Sequence, residues 1–310
     1  MARPNVIVFG YDELLPASLE FISQTKTRIS AVVFPSNRKD WRANKIRQIV
    51  TDQGFLTLEQ PPRNEISEFT KKLRRINPDL IYVWSYPMIL PDEIIRIPKY
   101  GCVNVHMGLL PEYRGVNGVR WALLNGEEKT GVTIHFMDSG IDTGNIISRV
   151  SFPIEEQDNI LSLMKKSKSA GLYLLANCWQ QIVSGKTNAA AQDESKAHYY
   201  STKMSEIETI DWSKSNLEIH NLIRASTIPF PGVYTFLEGR KLVMRKSVPL
   251  KNTGQREEFG VIKKIDADGV QVTTGNGSLL VTGIEFEEKT IPPAKLNDFG
   301  FEVGKQFQNG

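Results

Sequence analysis

Cysteine and histidine are scarce in this chain of 310 residues, with two of the first and four of the second. Cys102 and Cys178 sit in apolar surroundings without a CxxC or Cys/His spacing, which argues against a disulfide framework and a structural zinc and suits a reducing compartment. No run approaches the roughly 18 consecutive apolar residues of a membrane-spanning helix. The opening MARPNVIVFGYDE has a short apolar stretch with no cleavage-like segment after it. The expectation is a cytoplasmic protein with no membrane partner. Walker A, HExxH and GxSxG patterns are absent, and FGYDELLPAS lacks the GxGxxG of a dinucleotide turn, which disfavours an NAD enzyme. Nor is there a large excess of one charge. The net charge is +3, the last hundred or so residues are close to balanced, and the dense basic run is RKDWRANKIR at 38–47. That balance disfavours a nucleic acid as the main ligand and leaves room for a single phosphate or diphosphate.

What is present is alternation. Strand-like runs at 5–10, 29–34, 55–59, 80–85 and 102–106 are separated by helix-period segments near 12–24, 40–53, 64–76 and 91–97. This predicts an α/β, doubly wound, mostly parallel sheet with ligands at the C-terminal strand ends. GVTIHFM (131–137) and NIISRVSFPI (145–154) read as two further strands across the loop DSGIDTG. Leu161, Met164, Leu172, Leu175, Trp179 and Ile182 recur at helical spacing and predict a long helix stopping at Gly185. KTNAAAQDESKA (186–197) is small and polar, as a linker would be. After a helix opening near Ser213 or Ser215 come short β runs separated by turn signals, which predict a small antiparallel β-barrel or similar all-β unit. The division expected is a catalytic domain over 1–188, a linker over 189–204 and a β-barrel domain over 205–310.

GCVNVHMGLLPEYRG (101–115) places Asn104 and His106 two apart on a strand, so both project to one face beside a turn. An imidazole is the usual general base near neutral pH, and an amide beside it can donate to an oxyanion formed in acyl transfer. A satisfied polar pair at a strand end is the plain alternative. MDSGIDTGNI holds Asp138 and Asp142 in a glycine-containing loop, Asp142 between Gly140 and Gly144; alone it reads as a turn, but a carboxylate there can hold and polarise a histidine brought near by the sheet. SYPMILPDEI (85–94) is apolar where a loop should be polar, which suits either buried packing or one wall of a pocket for a flat heterocycle. His135, between Ile134 and Phe136, reads as structural.

These residues resemble the formyltransferases that use 10-formyltetrahydrofolate. NVHMGLLPEYRG followed by NGEEKTGVTIHFMDSGIDTGNII is similar to the family pattern N-x-H-x-S-L-L-P near an R-G, then G-x-T-x-H-x-M and D-x-G. IDWSKSNLEIHNLIRASTIPFPGVYTFLEGRKL is similar to the linker and barrel of the longer members, so the likeness spans nearly the whole chain. The resemblance implies a Rossmann-like formyltransferase fold with a C-terminal OB-like barrel and 10-formyltetrahydrofolate as co-substrate, with no metal. It further implies that Asn104, His106 and Asp142 are catalytic. Tyr86, Pro87, Met88, Ile89 and Leu90 would line the pterin site with Asp138, Gly140 and Ile141. Gly108 departs from the pattern, where the family usually has Ser, and altered loop packing is expected there.

For the acceptor, the expectation is the amine of a nucleotide-linked 4-amino sugar, with Arg114 and Gly115 as substrate contacts and either Arg114 or the run 38–47 available for the diphosphate. Asn104 favours transfer over hydrolysis. The near-neutral barrel and the direct passage from VVFPSNRKDWRANK into a helix argue against the tRNA acceptors of other members. Methionyl-tRNA is the alternative, N-hydroxyornithine is less favoured, and a homodimer is an open expectation.

Overall fold

A computed structural model describes residues 3–200, 208–250 and 258–309. The first strands are β1 (Asn5–Phe9), β2 (Arg28–Pro35), β3 (Thr57–Gln60), β4 (Leu80–Trp84) and β5 (Cys102–His106), with α1 (Leu14–Ser23), α2 (Trp41–Asp52), α3 (Ile66–Ile76) and α4 (Asp92–Ile95) between them. β1 and β4 are buried along almost their whole length, as expected of parallel strands covered on both faces. Local chemistry fixes the helix ends. The Asp40 carboxylate accepts from the backbone N–H of Arg42 and Ala43 at the start of α2, and Asn77, in the left-handed region at φ 51°, stops α3.

The chain then forms the two-residue β6 (Arg114–Gly115), α5 (Gly118–Leu124), β7 (Lys129–Phe136), β8 (Ile146–Pro153), the long α6 (Ile160–Val183) and the two-residue β9 (Tyr199–Tyr200). The large sheet has the order β3-β2-β1-β4-β5-β7-β8. β1 pairs in parallel with β2 and β4, and β4 with β5, but β7 runs antiparallel to β5. That reversal sets His135 of β7 directly opposite Asn104 of β5 and Thr133 opposite His106. Side chains on paired residues share a face, so antiparallel β7 adds a histidine to the face that already carries Asn104 and His106.

The chain divides into two compact units. One comprises Met1–Gly118, Gly131–Phe152 and Lys166–Tyr199; the other comprises Val119–Thr130, Pro153–Lys165 and Tyr200–Gly310. Two short segments of the expected first domain therefore group with the barrel. The first unit has an apolar cluster on each sheet face, one including Val8, Tyr82, Trp84, Leu175 and Trp179, the other Phe9, Val33, Phe69, Leu73 and Ile81.

In the second unit, α7 (Asn216–Ser226) opens on a capping box, with the Ser215 hydroxyl and Glu218 bonding each other's backbone N–H. The strands β10 (Val233–Leu237), β11 (Arg240–Leu250), β12 (Ile262–Asp266), β13 (Gly269–Thr273), β14 (Ser278–Phe286) and β15 (Lys289–Thr290) follow. Their order is β10-β11-β14-β13-β12, with β15 beside β14. The tail joins the two edges, Gln308 bridging Phe236 of β10 and Gln306 bridging Val261 just before β12. With its edges joined, the antiparallel sheet becomes the small barrel expected from the turn spacing. Trp212, stacked on Phe307 with ring centroids 5.3 Å apart, lies in its core.

Candidate active site

Asn104 and His106 project from one face of β5, as the two-residue spacing requires. The loop after β7 folds back over this face. It brings Asp142 Oδ2 to 3.5 Å from His106 Nδ1, and Oδ1 to 3.4 Å from His135 Nε2. Oδ2 also accepts the Gly115 backbone N–H at 2.8 Å. Asp142 itself sits at φ 54°, in the left-handed region that is uncommon for non-glycine residues but more open to aspartate than to most. The next glycine, Gly144, is required by space: a Cβ there would lie 1.9 Å from the Phe136 carbonyl oxygen. Gly140 is similarly crowded by Thr143, and the Asp138 carboxylate accepts from the Gly140 N–H and the Thr143 hydroxyl, so Asp138 shapes the loop.

Partner chemistry fixes the proton positions. A carbonyl only accepts, so His106 Nε2, 2.6 Å from the Tyr113 carbonyl, carries a proton, as does His135 Nδ1, 2.7 Å from the Phe136 carbonyl. His135 Nε2 then accepts the Asn104 side-chain N–H at 3.1 Å. Burial lowers the pKa of His106 below its ordinary value of 6.5, an effect that the Asp142 charge and the hydrogen bond to the Tyr113 carbonyl oppose. Burial would raise Asp142, but the positive charge that His106 carries when protonated and the Gly115 N–H hold it well below the usual carboxylate range. The resting site is thus a neutral imidazole whose Nδ1 lone pair faces an anionic carboxylate. A proton arriving at Nδ1 would complete an N–H···O bond between the two.

Two glycines make room for the imidazole. A Cβ on Gly108 would lie 2.7 Å from His106 Nε2, and one on Gly118 would lie 3.2 Å from it. Gly108, the departure from the usual Ser, therefore allows this ring position. Opposite His106, the Thr133 hydroxyl donates to the Gly108 carbonyl at 2.8 Å and accepts from the Leu110 N–H, pinning the turn.

The segment after β4 begins with Ser85 at φ 53°. Tyr86 packs edge-on against Phe9 at 5.3 Å, and its hydroxyl is buried without a hydrogen-bond partner. The Met88 sulfur accepts from Ser36, the Ile89 carbonyl accepts from Gln60, and Leu90 is buried. Pro87 is half-buried, whereas Ile89 and Ile141 are left exposed, at 78% and 54%. Arg114 is placed differently from the expected diphosphate contact. It is fully buried, and its guanidinium bonds Gln192, Glu194 and Tyr199. Gly115 serves the site through its backbone.

Sequence reasoning missed two residues. His135 read as structural because its strand neighbours are apolar; the signal lay in pairing, since antiparallel β7 sets it across from Asn104. Gln192 fell in a segment read as linker, yet Ala190 of that segment exchanges both backbone hydrogen bonds with Ile146, and the Gln192 side chain donates to the carbonyls of Asp142 and Gly144. No pattern in KTNAAAQDESKA signals this. Among the described residues, no group of three or more His, Cys, Asp or Glu is arranged to hold a metal ion, and no helix is long and apolar enough to cross a membrane.

The family profile "Formyl transferase" matches residues 3–177, and "Formyl transferase, C-terminal domain" matches 203–299. The chain belongs to the formyl transferase family. This formyl transferase is 38% identical to the methionyl-tRNA formyltransferase of Clostridium novyi (strain NT), covering 95% of this chain and 96% of that protein. It is 31% identical to the enzyme of the same name from Geobacter sulfurreducens, covering 98% and 96%. Among solved structures, it superposes with a TM-score of 0.70 at 22% identity on WlaRD, a sugar 3N-formyl transferase determined with dTDP and 5-N-formyl-THF, covering 92% of this chain and 98% of that one. The N-formyltransferase of Helicobacter canadensis, in complex with folinic acid and dTDP-3-aminofucose, gives the same TM-score and identity, with 90% and 99% covered. At that identity the structural likeness speaks for the fold.

Proposed function

We propose that this enzyme moves a formyl group from 10-formyltetrahydrofolate to the α-amino group of methionyl-tRNA. The observation that carries the chemistry is the Asp142 carboxylate lodged between His106 and His135 on the face that also presents Asn104. The acceptor is supported by likeness at 31% and 38% identity, through both domains, to relatives named for that reaction. The expected amino-sugar nucleotide is supported by likeness to structures that are all under 25% identical, which speaks for the fold.

A local feature also favours a nucleic-acid acceptor. The net charge of +3 averages over the chain and does not show local clustering. In the structure Arg38, Lys39, Arg42 and Lys45 are exposed around the start of α2, with Trp41 at 69% exposure and the Arg42 guanidinium 5.3 Å from its ring centre. Exposed basic side chains about an aromatic face suit phosphates and an unpaired base. Arg47 lies apart from this group, paired with Glu59 at 3.0 Å and stacked over Phe34.

The residues present fit the folate donor. Ile89 and Ile141 offer apolar surface to a flat ring, and the Tyr86 hydroxyl is a buried donor with no partner of its own. When bound, the donor supplies an activated acyl carbon attached to nitrogen. Asn104 turns its side-chain N–H from His135 to the carbonyl oxygen on which negative charge gathers. His106, neutral at rest, receives at Nδ1, by way of the Asp142 carboxylate it faces, the proton shed by the attacking amine, and the proton returns by the same route to the departing nitrogen, so one N–C bond forms as another breaks. Asp142 steadies the imidazolium in between, and the Tyr113 carbonyl keeps its Nε2 proton in place.

The test is parallel assay of formyl incorporation from 10-formyltetrahydrofolate into methionyl-tRNA and into a dTDP-linked amino sugar. The expected result is formylated methionyl-tRNA, with turnover falling as salt rises. Turnover on the sugar nucleotide with none on the tRNA would overturn the acceptor assignment.

A further inference from the structure

All five N–H donors of the buried Arg114 guanidinium are engaged. Nε and Nη2 converge on Gln192 Oε1 at 3.1 and 2.9 Å, Nη1 and Nη2 grip the two Glu194 oxygens at 2.9 and 2.6 Å, and Nη1 also donates to the Tyr199 hydroxyl at 2.8 Å. The Gln192 amide, oriented by this fork, uses its nitrogen to donate to the Asp142 and Gly144 carbonyls, both at 2.7 Å. The residue after Arg114 completes the grip from the other side, since the Gly115 N–H bonds the Asp142 carboxylate itself. Asp142 is therefore held by backbone and side chain at once. Its left-handed φ of 54° is a sparsely populated conformation for an aspartate, which these bonds hold in place.

We propose that Arg114 and Gln192 are positioning residues for formyl transfer: the guanidinium orients the Gln192 amide, which locks the backbone of the Asp142 loop and so sets the carboxylate between His106 and His135. The inference rests on the catalytic reading above, deepens it, and gives Arg114 a role other than diphosphate binding. The 190–196 segment becomes part of the active-site frame.

Gln192→Glu isolates the claim. A glutamate keeps an acceptor for Arg114 but has no N–H to give the Asp142 and Gly144 carbonyls. The variant should keep its melting temperature within a few degrees and its KM for 10-formyltetrahydrofolate within about threefold, while kcat falls about 10- to 100-fold, the range expected when a reacting group drifts by about an ångström. The His106 titration midpoint, read by NMR of the imidazole nitrogens, should fall as the supporting carboxylate moves away. Arg114→Lys, which cannot reproduce the five-donor fork, should show the same pattern more weakly. Wild-type kcat and an unmoved His106 midpoint in Gln192→Glu would overturn the proposal, as would loss of folding in both variants, which would make the network purely structural. The titration needs no acceptor. If methionyl-tRNA proves to be the wrong substrate, the His106 midpoint still decides whether the clamp acts.

Discussion

Asp142→Asn tests the electrostatic core of the site while preserving its shape. The amide oxygen can still accept the Gly115 N–H, which now bonds Oδ2 at 2.8 Å, so the loop should keep its form. What disappears is the counter-charge 3.5 Å from His106 Nδ1. At an effective dielectric of about 20, two unit charges at that distance attract by about 5 kcal/mol. Residual dipoles would recover part of this, so a loss of about 3 to 4 kcal/mol is expected when His106 carries the transferred proton, or about 10²- to 10³-fold in rate. Asp142 opposes the burial that lowers the His106 pKa, so its removal should lower that pKa further. Single-turnover formyl transfer reads the rate, and imidazole NMR against pH reads the midpoint. A variant within threefold of wild type, or one with an unchanged His106 titration, would refute the reasoning.

His135→Ala removes the acceptor that Asn104 bonds at rest but no group assigned to the proton path; kcat should fall about tenfold, well short of Asn104→Ala, and equal losses in the two variants would contradict this order. The neutral-base assignment predicts that kcat/KM is level at neutral pH and falls on acidification with a midpoint below 6.5. The stability sign agrees: a histidine whose folded pKa is depressed destabilises the fold as pH drops below its unfolded value of about 6.5. Asp142, depressed as well, contributes stability above about 3.8 that is lost below it. Denaturant midpoints that rise between pH 7 and 5 would oppose the histidine part. Gly144→Ala drives a Cβ to 1.9 Å from the Phe136 carbonyl, so about 2 to 3 kcal/mol of stability should be lost in urea unfolding together with most activity. Trp41→Ala should raise KM for methionyl-tRNA several-fold and leave KM for the folate donor unchanged; equal effects on both would remove Trp41 from the acceptor surface.

Short-range signals exposed much of this molecule. The strand at 102–106 has the expected bounds, and α1, α2 and α3 lie within two residues of their expected ends because their periodicity and caps are local. Asn104, His106 and Asp142 were recognisable as a group through long motifs in a fixed order, and the structure brings all three together. Pairing was not legible. His135 looks apolar-flanked in one dimension and becomes a contact of Asp142 only once β7 turns antiparallel to β5. Gln192 and Glu194 sit in a polar tract whose order comes from Arg114, about 80 positions earlier. Arg114 misled for the same reason, since a lone arginine beside a motif looks available to a phosphate until its partners are known.

The decisive measurement is a single-turnover transfer of labelled formyl from 10-formyltetrahydrofolate to methionyl-tRNA, run side by side with wild type and His106→Ala. The label should appear on the methionine nitrogen with wild type and be nearly absent with His106→Ala, whose fold stays intact by circular dichroism. No labelled tRNA from wild type, or equal labelling by the two proteins, would contradict the account.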